Sequence, residues 1–111
     1  MGEDIGQISF YAKDGGGNTA QKFCQILGEV EQSASGSEGG MLSLSVATHD
    51  GEIQKGLIIK DGNSEDEIDV TIGNGSSSIT TISGTFQLGS TGQNISTIET
   101  SYQDNDTSLL T

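Results

Sequence analysis

Hydrophobic and polar residues alternate through most of the first sixty positions, and such alternation predicts half-buried β-strands. The predicted strands cover residues 5–13, 20–32, 41–48 and 53–60. Clusters rich in Gly and Asp separate them, including the glycine run at residues 14–18 and two Asp-Gly pairs that are typical of hairpin turns. In the third strand, Leu42, Leu44 and Val46 fall on one face. Residues 1–62 therefore predict two antiparallel β-hairpins and contain no pattern of a long helix.

Residues 70–111 contain two similar copies of a sixteen-residue unit. VTIGNGSSSITTISGT, residues 70–85, aligns with FQLGSTGQNISTIETS, residues 86–101, and a third copy starts at Tyr102 before it loses register. The aligned apolar residues include Ile72 with Leu88, Ile79 with Ile95, and Ile82 with Ile98. Short apolar groups separated by Gly, Ser, Asn and Thr favour very short strands joined by tight corners. We therefore interpret each copy as one β-rung of a stack.

Two rungs and a fraction are too few for a stable stack, because at least about three repeats are usually needed to bury the apolar side of each. The missing apolar surface must come either from the rest of a longer chain or from identical chains that wrap around a shared axis. Residues 63–69, NSEDEID, are predicted to connect the hairpins to the rungs as an acidic segment.

The composition favours the assembly of several chains. The 111 residues include 17 Gly and no Trp, and 31% of them are hydrophobic. Ordering a chain costs on the order of 1.5 kcal/mol per residue, and so sparse an apolar set offsets that cost poorly in a monomer. The net charge is −12, with 16 acidic residues and four Lys. Such a surface repels phosphate backbones and anionic membranes, so neither nucleic acid nor membrane is expected as a partner.

The lack of a recognisable signal peptide and the presence of a single cysteine favour a chain made in a reducing compartment. No apolar run approaches membrane-spanning length, and residues 1–5 lack the regions of a signal peptide, so secretion through a cleaved leader is not expected. Cys24 is the only cysteine, which excludes an internal disulfide. It shares a predicted strand face with Ile26 and Val30, and we expect it to be a buried structural thiol.

No arrangement of residues in the sequence predicts catalysis, a cofactor or a metal site. The acidic run at residues 61–67 has oxygen donors at alternate positions, but Ile72 stands where a calcium loop needs its final Glu. We interpret it as a solvated turn. His49, the only histidine, precedes Asp50-Gly51 and is expected to be an exposed turn residue. A Ser-His-Asp arrangement would have to use His49, and no nucleophile elbow accompanies it.

A second interpretation of the repeat is a monomeric β-solenoid that binds ice or a polysaccharide. Thr80-Thr81 aligns with Ser96-Thr97, so stacked rungs would form a short ladder of hydroxyl groups. An ordinary polar exterior explains the same residues. The number of chains in the native particle separates this interpretation from an assembly of several chains.

Four sequence segments occur in order along the chain and are separated by short connections or by a long predicted strand. They are IGQISFYAKDGGG (residues 5–17), GSEGGMLSLSVATHDGE (36–52), GLIIKDG (56–62) and IGNGSSSITTISG (72–84). The first three resemble segments in the tail fibres of tailed bacteriophages, particularly those of marine cyanobacteria. The fourth resembles the short-period shaft repeats of the same fibres.

The resemblance implies an all-β, homotrimeric, internal segment of a tail fibre, with a two-hairpin module at residues 1–62. An intertwined shaft similar to a triple-stranded β-helix would follow at residues 70–111. In this hypothesis the trimer core consists of Ile72, Ile79, Ile82, Leu88, Ile95 and Ile98. The partners would be sister chains, other tail fibre or virion proteins and, for the whole fibre, a receptor or polysaccharide on the bacterial surface. The role would be mechanical, without enzyme activity, cofactor or metal, in a virion assembled in the host cytoplasm.

Overall fold

A computed structural model of the chain describes residues 2–17 and 19–89 and contains, within them, β-strands and no helix. The strands are β1 (Asp4–Lys13), β2 (Ala20–Gln32), β3 (Gly39–Ala47), β4 (Ile53–Asp61) and β5 (Ile68–Ile72). The first four begin and end within two residues of the strands predicted from the alternation of apolar and polar positions. The all-β class and the positions of these strands are thus confirmed.

The five strands form one antiparallel sheet in which each strand pairs with its neighbours in the sequence, in the order β1-β2-β3-β4-β5. The two predicted hairpins are therefore joined, because β2 also pairs with β3, from Cys24 opposite Val46 to Gln32 opposite Gly39. The sheet also continues past residue 62, since Ile68 at the start of β5 lies opposite Asp61.

The register divides the strand residues between two faces, because residues opposite each other on neighbouring strands point to the same side. One row across all strands consists of Ile8, Ile26, Leu44, Leu57 and Ile72. We name this side the apolar face, which carries Ile8, Phe10, Cys24, Ile26, Val30, Leu42, Leu44, Val46, Leu57, Ile59, Ile68, Val70 and Ile72, together with the polar residues Gln21, Gln54 and Asp61. The opposite side, the polar face, carries Gln7, Ser9, Gln25, Leu27, Glu29, Met41, Ser43, Ser45, Lys55, Ile58, Lys60, Asp69 and Thr71.

The centre of the polar face is shielded by its own long side chains. Ser43 and Ser45, on the central strand β3, are 0% and 3% exposed. Ser43 lies opposite longer residues on both sides, such as Leu27 on β2. Lys55 Nζ of β4 reaches Glu29 Oε1 of β2 at 3.2 Å, and in this register their ion pair crosses β3 at the level of Ser43. Small side chains on β3 therefore allow longer neighbours to close over the middle of this face.

A tight corner follows β5. The Asn74 N–H donates to Ser78 Oγ at 3.0 Å, and Ser78 Oγ donates to the Asn74 carbonyl at 2.9 Å. Gly73 and Gly75 have φ angles of 99° and 88°, a left-handed conformation that glycine adopts without steric strain. The Gly73 N–H also donates to the carbonyl of Gly56 in β4 at 2.8 Å. The corner is thus attached directly to the sheet.

Internal contacts divide the chain into two units, Met1–Thr81 and Ile82–Thr111, and the whole sheet belongs to the first. Within residues 73–89 the structure contains no strand, so of the first predicted rung only residues 70–72 are in one. Residues 90–111, which include most of the second rung, lie outside the described residues. The intertwined trimeric shaft stays a prediction.

We expect Ser43→Ala to raise the free energy of unfolding by about 1 kcal/mol, since a buried hydroxyl without a partner costs about 1–3 kcal/mol. Ser43 Oγ is buried and has no hydrogen-bond partner among the described residues. Urea unfolding at one fixed chain concentration measures the change. The control is Ser77→Ala in an exposed loop, which should alter the same free energy by less than about 0.5 kcal/mol. A less stable Ser43→Ala chain would contradict the prediction.

Candidate self-association surface

The apolar face is open to solvent on β1, β3 and β5 and half-buried on β2 and β4. Leu44, on the middle strand, is flanked by Ile26 and Leu57 and is still 41% exposed. On the edge strands, Ile8 is 56% exposed and Ile68 is 67% exposed. A side chain with neighbours on both sides in the plane of the sheet keeps so much exposure only when no other layer lies above it.

The exposure of this face follows from the number of layers. Folded domains bury the apolar side of a sheet against a second layer of strands or helices. The described residues form a single layer, and the only buried hydrophobic side chain among them is Leu27, which is 7% exposed and lies on the polar face. The apolar face therefore has the composition of a protein core without the second layer that would complete one.

The charged side chains lie mainly on the opposite side of the sheet. Lys55 pairs with Glu29 on the polar face, and Lys60 Nζ lies 3.5 Å from Glu31 Oε1. Among the strand residues that the register places on the apolar face, Asp61 at the end of β4 is the one that carries a charge. Recognition by the apolar face would therefore depend on burial of hydrophobic surface and hardly at all on charge.

The structure describes four of the six residues that were predicted to form a trimer core. Ile72 lies on the apolar face, Ile79 follows the corner, Ile82 and Leu88 belong to the second unit, and Ile95 and Ile98 lie outside the described residues. Ile72 and Ile79 line one depression of about 320 Å³ beside Val46. Ile79 is 89% exposed and Ile82 is 52% exposed, whereas Leu88 is half-buried. Their place on a trimer axis stays a prediction.

Sequence reasoning missed the apolar face as a surface for association. The alternation correctly places Leu42, Leu44 and Val46 on one side of a strand, but it does not reveal what covers that side. The available signal was the number of elements: residues 1–62 contain four strand patterns and no helix, which is too few for two layers of this width.

The acidic turn, residues 61–67, is closed by hydrogen bonds within its own chain. The Gly62 N–H donates to the Glu67 carbonyl, and the Asn63 N–H donates to Glu67 Oε1, both at 3.1 Å. The Asn63 N–H and then a hydrogen bond with Asp69 lower the pKa of Glu67. The same hydrogen bond with Glu67 raises the pKa of Asp69. Protonated Asp69 therefore donates a hydrogen bond to the ionised carboxylate of Glu67, and this bond favours that pair of protonation states.

Other reactive groups in the described residues are dispersed. No three His, Cys, Asp or Glu side chains in residues 2–17 and 19–89 are grouped so that they could hold a metal ion. His49 is exposed in the turn between β3 and β4, as predicted, where the Gly51 N–H donates to the Thr48 carbonyl. Cys24 is a free thiol on the apolar face and is half-buried, not fully buried as the sequence led us to expect.

Comparisons with protein-family models, curated proteins and solved structures find no match for this chain. In the part of the chain that the structure describes, no helix is long and apolar enough to cross a membrane. Function must therefore be inferred from the apolar face, from the sixteen-residue repeat and from the four sequence segments that resemble tail fibre proteins.

We expect Asp69→Asn to raise the urea midpoint of unfolding at pH 7 and to leave it nearly unchanged at about pH 3. A raised pKa means that protonated Asp69 stabilises the fold, and this contribution is lost as the pH rises through that pKa. A lowered pKa means that ionised Glu67 stabilises the fold, and this contribution is lost as the pH falls through it. Asparagine keeps a hydrogen-bond donor for Glu67 at both pH values and removes one negative charge.

The control for Asp69→Asn is Glu65→Gln, which removes one charge from an exposed residue of the same turn. The control measures the general benefit of a smaller net charge, so only the excess in Asp69→Asn reports the pair with Glu67. Equal midpoints for the two variants at pH 7 would contradict the assigned hydrogen bond.

Proposed function

We propose that this chain is a structural segment of a bacteriophage tail fibre and that it acts as a homotrimer. The observation that carries the proposal is the uncovered apolar face. A chain with one buried hydrophobic side chain in its described part needs further surfaces against which its hydrophobic residues can pack. In a fibre, sister chains provide such packing surfaces. The resemblance of residues 5–17, 36–52, 56–62 and 72–84 to tail fibre segments supports this kind of assembly over other homo-oligomers.

The role of the segment in this proposal is mechanical. The resemblance to shaft repeats at residues 72–84 supports this role, since shaft repeats extend a fibre. A net charge of −12 keeps neighbouring fibres apart in solution. Other tail fibre or virion proteins would join the segment at its ends, and the complete fibre would reach a receptor or polysaccharide on the bacterial surface.

The monomeric solenoid for ice or polysaccharide receives less support. Its binding surface would be the ladder that begins at Thr80-Thr81, and these residues lie outside any strand of the described chain. A flat row of hydroxyl groups requires stacked strands to hold its spacing. The absence of a strand in residues 73–89 applies equally to the rungs of the fibre shaft, so the uncovered apolar face and the resemblance are what favour the fibre segment.

We expect light scattering after gel filtration to give three times the chain mass of 11.5 kDa. The mass should persist through a dilution series from high to low micromolar chain concentration, because dissociation would return the apolar surface of every chain to water. A compact particle with the mass of one chain at all concentrations would overturn the proposal and favour the solenoid.

We expect Ile82→Asp to weaken the trimer, because an axial residue would bring three carboxylates together in an apolar environment. The control is Thr81→Asp, which adds the same charge one residue earlier, at a position predicted to face water. Sedimentation velocity of both variants measures the change as an increase in the dissociation constant. Equal dissociation constants for the two variants would show that Ile82 is not axial.

A further inference from the structure

We infer that the apolar face of the sheet is the surface on which copies of this chain pack against one another. The inference rests on the proposed self-assembly and places its main contact on the sheet, with the predicted rungs as a smaller part. The occupants are the sister copies of the same chain in the proposed trimer, each of which presents the same apolar face toward the shared axis.

The area of the apolar face matches the requirement of a stable interface. The sheet has five strands, and β3 and β4 each contain nine residues. At a spacing of about 4.8 Å between strands and a rise of about 3.4 Å per residue, such a sheet covers roughly 700 Å². Specific protein interfaces bury about 800 Å² on each partner. One copy therefore offers nearly the whole area that a lasting contact needs.

The composition of the apolar face is that of an interface centre. Interface centres are depleted in charged residues and enriched in hydrophobic and aromatic ones. Leu42, Leu44 and Val46 form its middle row along β3, and Phe10 projects from β1 with 48% of its surface exposed. The one charged residue, Asp61, lies at the end of β4, where it would remain at the wet margin.

The distribution of charge favours a second copy over a partner of another kind. At a net charge of −12, two copies repel each other in most orientations. When the apolar faces meet, the polar faces point outward and their carboxylates stay in water at the largest separation. A cationic partner would be drawn to the acidic surfaces, and the apolar face would remain uncovered. Packing of like faces is therefore the arrangement that covers the apolar surface with the least electrostatic cost.

The apolar face is also continuous with the predicted trimer core. Ile72 is both the last residue of β5 and the first aliphatic residue of the predicted core. Ile79 lines the same depression as Ile72 and Val46, so residues of the predicted core adjoin the sheet surface directly. Within the first unit, the sheet surface and the first two residues of the predicted core, Ile72 and Ile79, therefore belong to one hydrophobic region.

Cys24 provides a test on the unmodified chain. It is the only cysteine, and on the apolar face it lies between Phe10 and Val46 in the row across β1, β2 and β3. In a single chain it is half-buried, so a maleimide reagent can reach it. When a second copy covers the face, we expect the labelling rate to fall at least about tenfold below that of the urea-unfolded chain, since reaction then requires opening of the interface.

Two variants of neighbouring residues on β5 provide the second test. Val70 is on the apolar face and Thr71 on the polar face, and both are exposed in the single chain. Val70→Lys buries an unpaired charge if the face is covered, so its dissociation constant should rise about a hundredfold. Thr71→Lys adds the same charge to the same strand and should leave the dissociation constant within about threefold. Far-ultraviolet circular dichroism checks that both variants keep the β-sheet.

The outcomes separate this inference from the proposed function. A trimer with shielded Cys24 that Val70→Lys dissociates and Thr71→Lys preserves supports the inference. A trimer in which Cys24 reacts as fast as in the unfolded chain, or in which Val70→Lys has no effect, overturns it and leaves the tail-fibre proposal in place. A monomeric unmodified chain overturns both.

Discussion

A single-layered sheet cannot bury both of its faces, and this constraint governs the rest of the molecule. The two faces of the sheet differ in how far their own side chains cover them. On the polar face, Ser43 and Ser45 are small enough for longer side chains to close over them, and the ion pair between Lys55 and Glu29 spans the gap. On the apolar face, the middle row on β3 is not closed over in this way, and Leu44 remains 41% exposed. The polar face is closed by side chains of its own strands, whereas the apolar face has no such cover among the described residues.

The electrostatics follow from the same asymmetry. The few lysines of the chain help to complete the polar face, since Lys55 and Lys60 each pair with a glutamate there. Most of the acidic residues remain unpaired by lysine, because 16 acids face only four Lys. This excess opposes close approach of two chains, and the hydrophobic contact must exceed it. A face almost free of charge is therefore the natural place for that contact, and added salt should assist it by screening the repulsion between the outer faces.

The strands could be predicted from the sequence, whereas their joint arrangement could not. The alternation around Leu42 and Leu44 and the Asp-Gly turns are local features, and the structure follows them closely. The pairing of β2 with β3 depends on residues separated by a glycine-rich connection, and a strand pattern does not specify its second neighbour. β5 was not predicted from the sequence for another reason. Ile68 was assigned to an acidic connection and Val70 to a repeat, although Ile68, Val70 and Ile72 alternate as one strand.

The candidate surface could be predicted only in part, because burial depends on every layer packed against a strand, and the pattern of one strand does not identify those layers. Cys24 illustrates this point: its neighbours Phe10 and Val46 in the sheet are apolar, and from the sequence we expected it to be buried. Within one chain it is half-buried, since shielding in the plane of the sheet does not replace a layer above it. The pattern of apolar neighbours matches a covered environment, and the proposed assembly would provide such an environment as its final state. If sister chains provide that state, the expected burial of Cys24 and its exposure in a single chain describe two stages of the same assembly.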